Sequence, residues 1–472
     1  MSIHLLLAHE NGPHPVLPQG LPLASVIPEP RPREGAKSKH LYDLSGNLND
    51  LATQGWALVV PEGVRGQELR RRVTRLIDHR AAQQKIRPEE VQVFPVAPAM
   101  TWQETEEFRC KLLKLAPEDQ PRYLLILGDA HEVSFDFQQY LAVDRFVGRL
   151  TFPRDIDFEH YVDKVLKAEQ NPPRAKRGRT LFFASHDGTD ATRHGYERLV
   201  CRSLEACEKS HLRGAFPASE VLEVDTAPTV SSEELLASAA RPEPTALLSL
   251  SHGSAGPMDG WHSAQEQRLH QGELVLANGQ LLTASDVSHR PFLPGGIWIY
   301  FACFSVGTPA RSAYAPWLQR LRELREGGRQ LEAVLSTAPL DGQPFVSALP
   351  QAALANPHGP LAVIGHVDLA WSYTYHDVEG NNRSERFTDV LRSLMKRRRA
   401  GVGLHSLTNS IASIDTRLSM LYHQDEVARA GGCEPTQELL DRAYWWMARH
   451  DLSTYVLLGD PAARLSIEPQ ER

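Results

Sequence analysis

Short, continuous apolar runs alternate with amphipathic stretches along the chain. The runs are "WALVVPEG" (56–63), "VQVFPVA" (91–97), "RYLLILGD" (122–129), "TLFFASHDG" (180–188), "TALLSLSHG" (245–253), "GIWIYFACFS" (296–305), "LEAVLSTAP" (331–339) and "PLAVIGHVD" (360–368). Between them, "GQELRRRVTRLIDHRAAQQ", "DFEHYVDKVLKAEQ", "ERLVCRSLEACEKS" and "SAYAPWLQRLRELREGG" carry helical periodicity. Continuous apolar strands separated by helices predict an α/β fold, a mostly parallel sheet covered on both faces. Several runs stop at glycine beside a polar residue: Gly128-Asp129, Asp187-Gly188 and His252-Gly253. In such sheets, ligands and catalysts collect at the carboxyl ends of the strands.

The chain has 472 residues, enough for about two to four domain-sized units or one large α/β unit in two halves. The segment "EQNPPRAKRGR" (169–179) combines two prolines with Arg174, Lys176, Arg177 and Arg179, and marks a linker. It divides a first α/β half, residues 1–170, from a larger second half, 171–472. Residues 384–449 are helical in pattern and contain the basic run Lys396 to Arg399; "STYVLLGDPAARLSI" then forms a last strand.

Hydrophobic residues make up 42% and charged residues 23%, ordinary values for a globular protein. A net charge of −7 excludes a general nucleic-acid binder, which needs a cationic surface. The N-terminus lacks a basic n-region and a long apolar core, and no run is long enough to span a bilayer, so neither a signal peptide nor a membrane span is expected. Five cysteines (Cys110, Cys201, Cys207, Cys303, Cys433) without a C-x-x-C pair are too few for a disulfide scaffold. These features predict a reducing, cytoplasmic setting in which a free thiol is tolerated.

Two strand ends carry chemistry. One run ends in Ser251-His252-Gly253-Ser254 and another in Ala302-Cys303-Phe304-Ser305. If the two strands are neighbours, about 5 Å apart, the imidazole and the thiol emerge at one rim. A thiol attacks as the thiolate, and histidine can promote its formation and later protonate a leaving amine. Gly253 would let a substrate approach, and its N–H with that of Cys303 could hold an oxyanion. Each residue alone has a plain alternative: a solvated strand-end histidine and a small buried thiol.

With these motifs in order, the chain resembles the gingipain family of cysteine peptidases, within the caspase-like clan, from about residue 120 to the last strand. "RYLLILGDAHEV" is similar to the family's strand ending in Gly-Asp, and "AVDRFVGRLTFPRDIDFEHYVDKVLKAEQN" to its Gly-Arg segment and following helix. "LFFASHDG", "SLSHGSAG", "YFACFSVG", "VIGHVDLAWSY" and "YVLLGDPAARL" follow in the family's order, with Ser251 in place of a glycine and one extra residue before Gly307. The resemblance implies a caspase-like three-layer α/β/α fold in two halves, the second catalytic. It carries the nucleophile onto Cys303 and the general acid/base onto His252. Asp187 falls where the family has a glutamate, which implies a role in orienting His252; the alternative is a turn aspartate. Asp190, Trp371 and Ser251 fall in the substrate-binding set. Asp190 would favour Arg or Lys at P1, or else is the N-cap of the next helix. Trp371 would flank the P1 side chain, or else is a core aromatic.

The resulting expectation is a cytosolic cysteine endopeptidase acting on protein or peptide substrates, with no metal or organic cofactor. Latency is expected until cleavage at Arg174–Arg179 or Lys396–Arg399, or until an activating protease or regulatory protein acts. By analogy with bacterial caspase-like proteases, a role in stress or infection responses is implied. The rival reading is a non-enzymatic scaffold on a degenerate caspase-like fold. Other chemistries fit less well. "HGSAG" lacks the glycine a serine elbow needs, the twenty histidines include no H-E-x-x-H pair, and no phosphate loop follows Gly128-Asp129. His262 and His270 are expected in loops. Cys201 and Cys207 sit six apart on one helix and are expected to be packing residues.

Overall fold

The computed structural model describes residues 46–171, 175–224, 232–257, 260–277, 279–324, 328–377, 380–431 and 438–468, and the short ladder of Ser2–Ile3 with Leu21–Pro22. That ladder belongs to a separate small unit, residues 1–44. Within residues 45–472 the apolar runs form strands of one sheet: β1 (Trp56–Pro61), β2 (Val93–Val96), β3 (Tyr123–Leu127), β4 (Phe146–Leu150), β5 (Arg179–Ala184), β6 (Val221–Glu223), β7 (Thr245–Leu250), β8 (Ile297–Phe301), β9 (Ala362–His366) and β10 (Tyr455–Gly459). All but β2 and β6 are buried along their whole length, because both faces are covered. Alternate side chains divide between two layers. Trp298 and Tyr300 join one core with Leu58, Leu125 and Val363, while Ile297, Ile299 and Phe301 join another with Leu248, Ile364 and Leu457. The result is a three-layer α/β/α fold.

The strand order is β2-β1-β3-β4-β10-β9-β8-β7-β5-β6. Strands β1 to β4 are mutually parallel, and so are β5 to β9. The same winding, second-first-third-fourth, therefore occurs in β1–β4 and again in β5–β8. β10 pairs parallel with β4 and antiparallel with β9, so the sheet changes direction at this last strand.

Three details depart from the sequence pattern. The run "LEAVLSTAP" is not a strand; Gly328–Leu335 is helical, and Leu331, Val334 and Leu335 pack on Phe304, Tyr314 and Leu318 at 3.6-residue spacing. β4 and β6 fall in stretches whose charged residues mask a strand; Arg149 of β4 is buried and satisfied by Gln138 and by the carbonyls of Gly128, Val133 and Ser134. His270 closes the helix Ala264–His270 rather than lying in a loop.

The basic segments are not uniformly exposed. Arg174 lies outside the described residues, as does Cys433. Lys176, Arg177, Lys396 and Arg398 are exposed, but Arg179 is buried in β5, and Arg399 is buried and donates to the carbonyls of Asn49 and Ala462. Residues 384–449 include the helices Glu385–Met395, Ala400–Thr408 and Ile411–Ala430 and most of Glu438–Ser453. Among the described residues, no helix is long and apolar enough to cross a membrane and no side-chain cluster could hold a metal ion.

Candidate active site

β7 and β8 are parallel neighbours in register, with Leu250 opposite Phe301, and the pairing continues one step beyond as the Ser251 amide donates to the Phe301 carbonyl at 3.2 Å. His252 and Cys303 therefore leave adjacent strands at the same rim. Gly253 then presses on the Cys303 peptide. A Cβ at this position would lie 1.9 Å from the Cys303 carbonyl oxygen and 3.3 Å from its nitrogen. Only glycine permits that approach.

Beyond the strand, Val275 N–H donates to the His252 carbonyl at 3.1 Å and Ser254 N–H to the Glu273 carbonyl at 2.8 Å. This places Gly253 opposite Leu274 in the non-hydrogen-bonded position of an antiparallel bridge. Among the described residues, the Gly253 and Cys303 amides donate to no other residue. Two amides so placed could donate to an oxyanion.

The turn after Cys303 is strained and held. Phe304 has φ +55°, a left-handed conformation that a bulky residue adopts only when its surroundings impose it. Its N–H donates to the Asp368 carbonyl at 2.9 Å, and its own carbonyl accepts from Ser347 Oγ at 2.6 Å. Ser305 Oγ donates to the Tyr300 carbonyl and accepts from the His366 amide, which ties the same turn to β9.

His252 is held from one side. Its Nε2 lies 3.0 Å from Thr189 Oγ1 and 3.6 Å from Asp187 Oδ2. Burial opposes ionisation of Asp187. The Thr192 hydroxyl, the Thr189 amide and hydroxyl, and the His252 ring outweigh it and hold the carboxyl below its ordinary pKa. Asp187 is thus an anion beside the imidazole, at the end of β5, the strand next to β7.

The thiol is engaged elsewhere. Cys303 Sγ accepts from the Ala370 amide at 3.3 Å and approaches the Ala370 carbonyl at 3.8 Å; among the described residues no hydrogen bond joins it to His252. Burial pushes its pKa up to about 11, with the Ala370 amide pulling the other way. The Ala370 segment is clamped in turn by Asp451, which is fully buried. Asp451 accepts from the Trp371 amide at 2.9 Å and from the Thr374 amide and hydroxyl at 3.0 and 2.8 Å, and it faces His366 Nε2 at 3.1 Å.

The remaining candidates fall into two groups. Trp371 stands beside the thiol segment, stacked edge-on against Tyr314 and Trp317. Ser251 is buried, as the last residue tied to β8. Asp190 follows Thr189 in the chain; its side chain is 94% exposed and pairs with Arg193 on its own helix. The N-cap of that helix is Thr189, not Asp190. Sequence reading missed Thr189, Ala370, Asp451 and the strained Phe304. Only Thr189 had a signal, a Thr-x-x-Thr spacing at a helix start.

No protein-family model matches the chain, and neither does any curated protein sequence. Solved structures with some likeness include the Arg-specific cysteine proteinase gingipain R, at 13% identity over 88% of this chain and 78% of that one, TM-score 0.48. A complex of the pro- and mature domains of RgpB from Porphyromonas gingivalis shows 11% identity over 87% and 80%, TM-score 0.47. The separase–securin complex of Saccharomyces cerevisiae shows 10% identity over 74% of this chain and 16% of that one, TM-score 0.33.

Proposed function

We propose that this chain is a cysteine endopeptidase of caspase-like type working through Cys303 and His252. The observation that carries the reading is the packing of Gly253 on the Cys303 peptide, with a histidine and a thiol at the ends of adjacent strands and two amides that donate to no other residue among those described. In the proposed cycle the thiol turns from Ala370 toward the imidazole and transfers its proton there. The sulfur attacks the scissile carbonyl carbon, and the new oxyanion points at the Gly253 and Cys303 amides. His252 gives its proton to the departing amine, leaving a thioester. Water, deprotonated by His252, then releases the acid and restores the thiol. Asp187 and Thr189 keep the ring oriented throughout.

Latency belongs to the same proposal. A thiol held by Ala370, its pKa pushed up to about 11 by burial, is almost wholly protonated at neutral pH and so a poor nucleophile. Cleavage near the exposed Lys176–Arg177 pair, or a bound partner protein, would have to release it, in a reducing cytoplasmic setting. In this reading substrate choice is not assigned to Asp190, whose exposed side chain pairs with Arg193.

The second reading, a non-catalytic binding protein, is favoured by that same Ala370 contact. The test compares wild type with Cys303→Ala on fluorogenic peptides before and after limited proteolysis, with intact mass recorded. Cleavage that disappears in the variant supports the peptidase. No cleavage, together with Cys303 alkylation that stays slow after nicking, supports the binding protein.

A further inference from the structure

An apolar cavity of about 300 Å³ opens beside the candidate nucleophile. Its walls include Phe304, which follows Cys303 in the chain, and Leu369, which precedes the Ala370 that binds the thiol. Ala315, Leu318, Val334 and Leu335 complete most of the apolar lining. Cys303 packs into the same hydrophobic cluster as Phe304, Leu318 and Leu369, so thiol and cavity share one wall. Among the lining residues Arg311 is the one charged group; it is exposed.

Resting on the peptidase reading above, we infer that this cavity receives an apolar side chain of the substrate next to the scissile bond, and that basic side chains are disfavoured there. Three observations converge on this class. Phe304, next to Cys303 after β8, and Leu369, next to Ala370 after β9, both wall the cavity, so it adjoins the two segments that meet at the thiol. Its volume is at the lower end of the roughly 300–1,000 Å³ typical of ligand pockets, suited to one side chain and not to a folded segment. No carboxylate lines it, so a lysine or arginine entering would lose solvation unpaired and meet Arg311 as a like charge. A second cavity of about 410 Å³, across the Pro309–Ser312 loop, does contain Asp136 and Asp368. It also contains Arg311 and Arg449. Asp368 there already accepts from the Ala313 and Leu369 amides, and none of the cluster that holds Cys303 lines it.

The experiment measures kcat/KM for peptides carrying Leu, Phe, Arg, Lys or Asp at P1 and, separately, at P1′. It uses wild type, Leu335→Trp, Arg311→Glu and Cys303→Ala. A preference for Leu or Phe over Arg of about tenfold or more is expected at one of the two positions, since a single methylene in an apolar pocket is worth about 10–200-fold. Leu335→Trp should remove most of that preference by filling the cavity. Arg311→Glu, at an exposed position, should narrow the gap to Arg and Lys by about tenfold and carries the test alone if Leu335→Trp does not fold. Cys303-dependent cleavage that favours Arg or Lys, or an apolar preference that neither variant changes, would overturn this inference and leave the peptidase standing. If no peptide is cut, anisotropy binding of the same peptides to Cys303→Ala replaces turnover. Tighter binding of the Leu and Phe peptides, lost in the double variant with Leu335→Trp, supports the pocket, and Cys303 alkylation that stays slow after nicking then separately rejects the peptidase reading. Equal binding of all peptides overturns the pocket as well.

Discussion

Gly253→Ala is the sharpest test of the site. The added Cβ would sit 1.9 Å from the Cys303 carbonyl oxygen and 2.9 Å from its carbonyl carbon, where real Cβ atoms stay beyond 3.0 Å. Both atoms are backbone, so no side chain can swing away. The ends of β7 and β8 must part by at least about 1.1 Å, the difference between 3.0 and 1.9 Å. That movement displaces the Gly253 amide, His252 and Cys303 relative to one another. A misplacement of about 1 Å costs on the order of a hundredfold in rate, or about 2.7 kcal/mol of transition-state stabilisation. The fold should lose only the roughly 1–3 kcal/mol typical of overpacking. The assay is kcat/KM on whichever peptide shows Cys303-dependent cleavage, with urea unfolding of the same preparation to show that the variant is folded. A folded Gly253→Ala protein with wild-type kcat/KM would refute the close apposition and, with it, the proposed oxyanion role of these amides.

Two further predictions concern the resting thiol. With a pKa near 11, Cys303 is roughly 0.1% ionised at pH 8, against about a quarter for an ordinary thiol near 8.5; its alkylation, followed by peptide mass mapping, should be slow at pH 8 and rise about tenfold per pH unit, and a fast plateau below pH 8 would refute this. Because the folded-state pKa is raised, its contribution to stability is full below the unfolded thiol's value of about 8.5 and is lost as pH climbs toward 11. Asp451→Ala should destabilise the fold by about 3–5 kcal/mol in urea, since it strands the buried donors of Trp371 and Thr374, and it should speed Cys303 alkylation by loosening Ala370. An unchanged midpoint and labelling rate would remove Asp451 from the clamp.

Much of the sheet was legible because a strand buried on both faces is apolar throughout. β1, β3, β5, β7, β8, β9 and β10 announce themselves in this way. β4 was obscured by Arg149, whose charge is tolerated only because a loop and Gln138 surround it with acceptors. "LEAVLSTAP" misled because a short apolar run does not distinguish a buried strand from the buried face of a helix. Asp190 was ambiguous for a related reason. An acidic residue at the start of a helix has the same sequence appearance whether or not it is the N-cap, which here is Thr189, with Asp190 exposed beside Arg193.

The sequence by itself determined most of the strands, β4 and β6 excepted, and that two of them end in histidine-glycine and in cysteine, because periodicity and strand punctuation are local properties. The tertiary structure alone decided that β7 lies beside β8, that Gly253 touches the Cys303 peptide, that Asp187 and Thr189 reach His252, and that the thiol rests on Ala370 under a clamp from Asp451. These are contacts between residues tens of positions apart, up to 80 for Trp371 and Asp451. They are set by how two apolar faces are covered and by how each buried polar group finds a partner, and no local pattern in the chain records either.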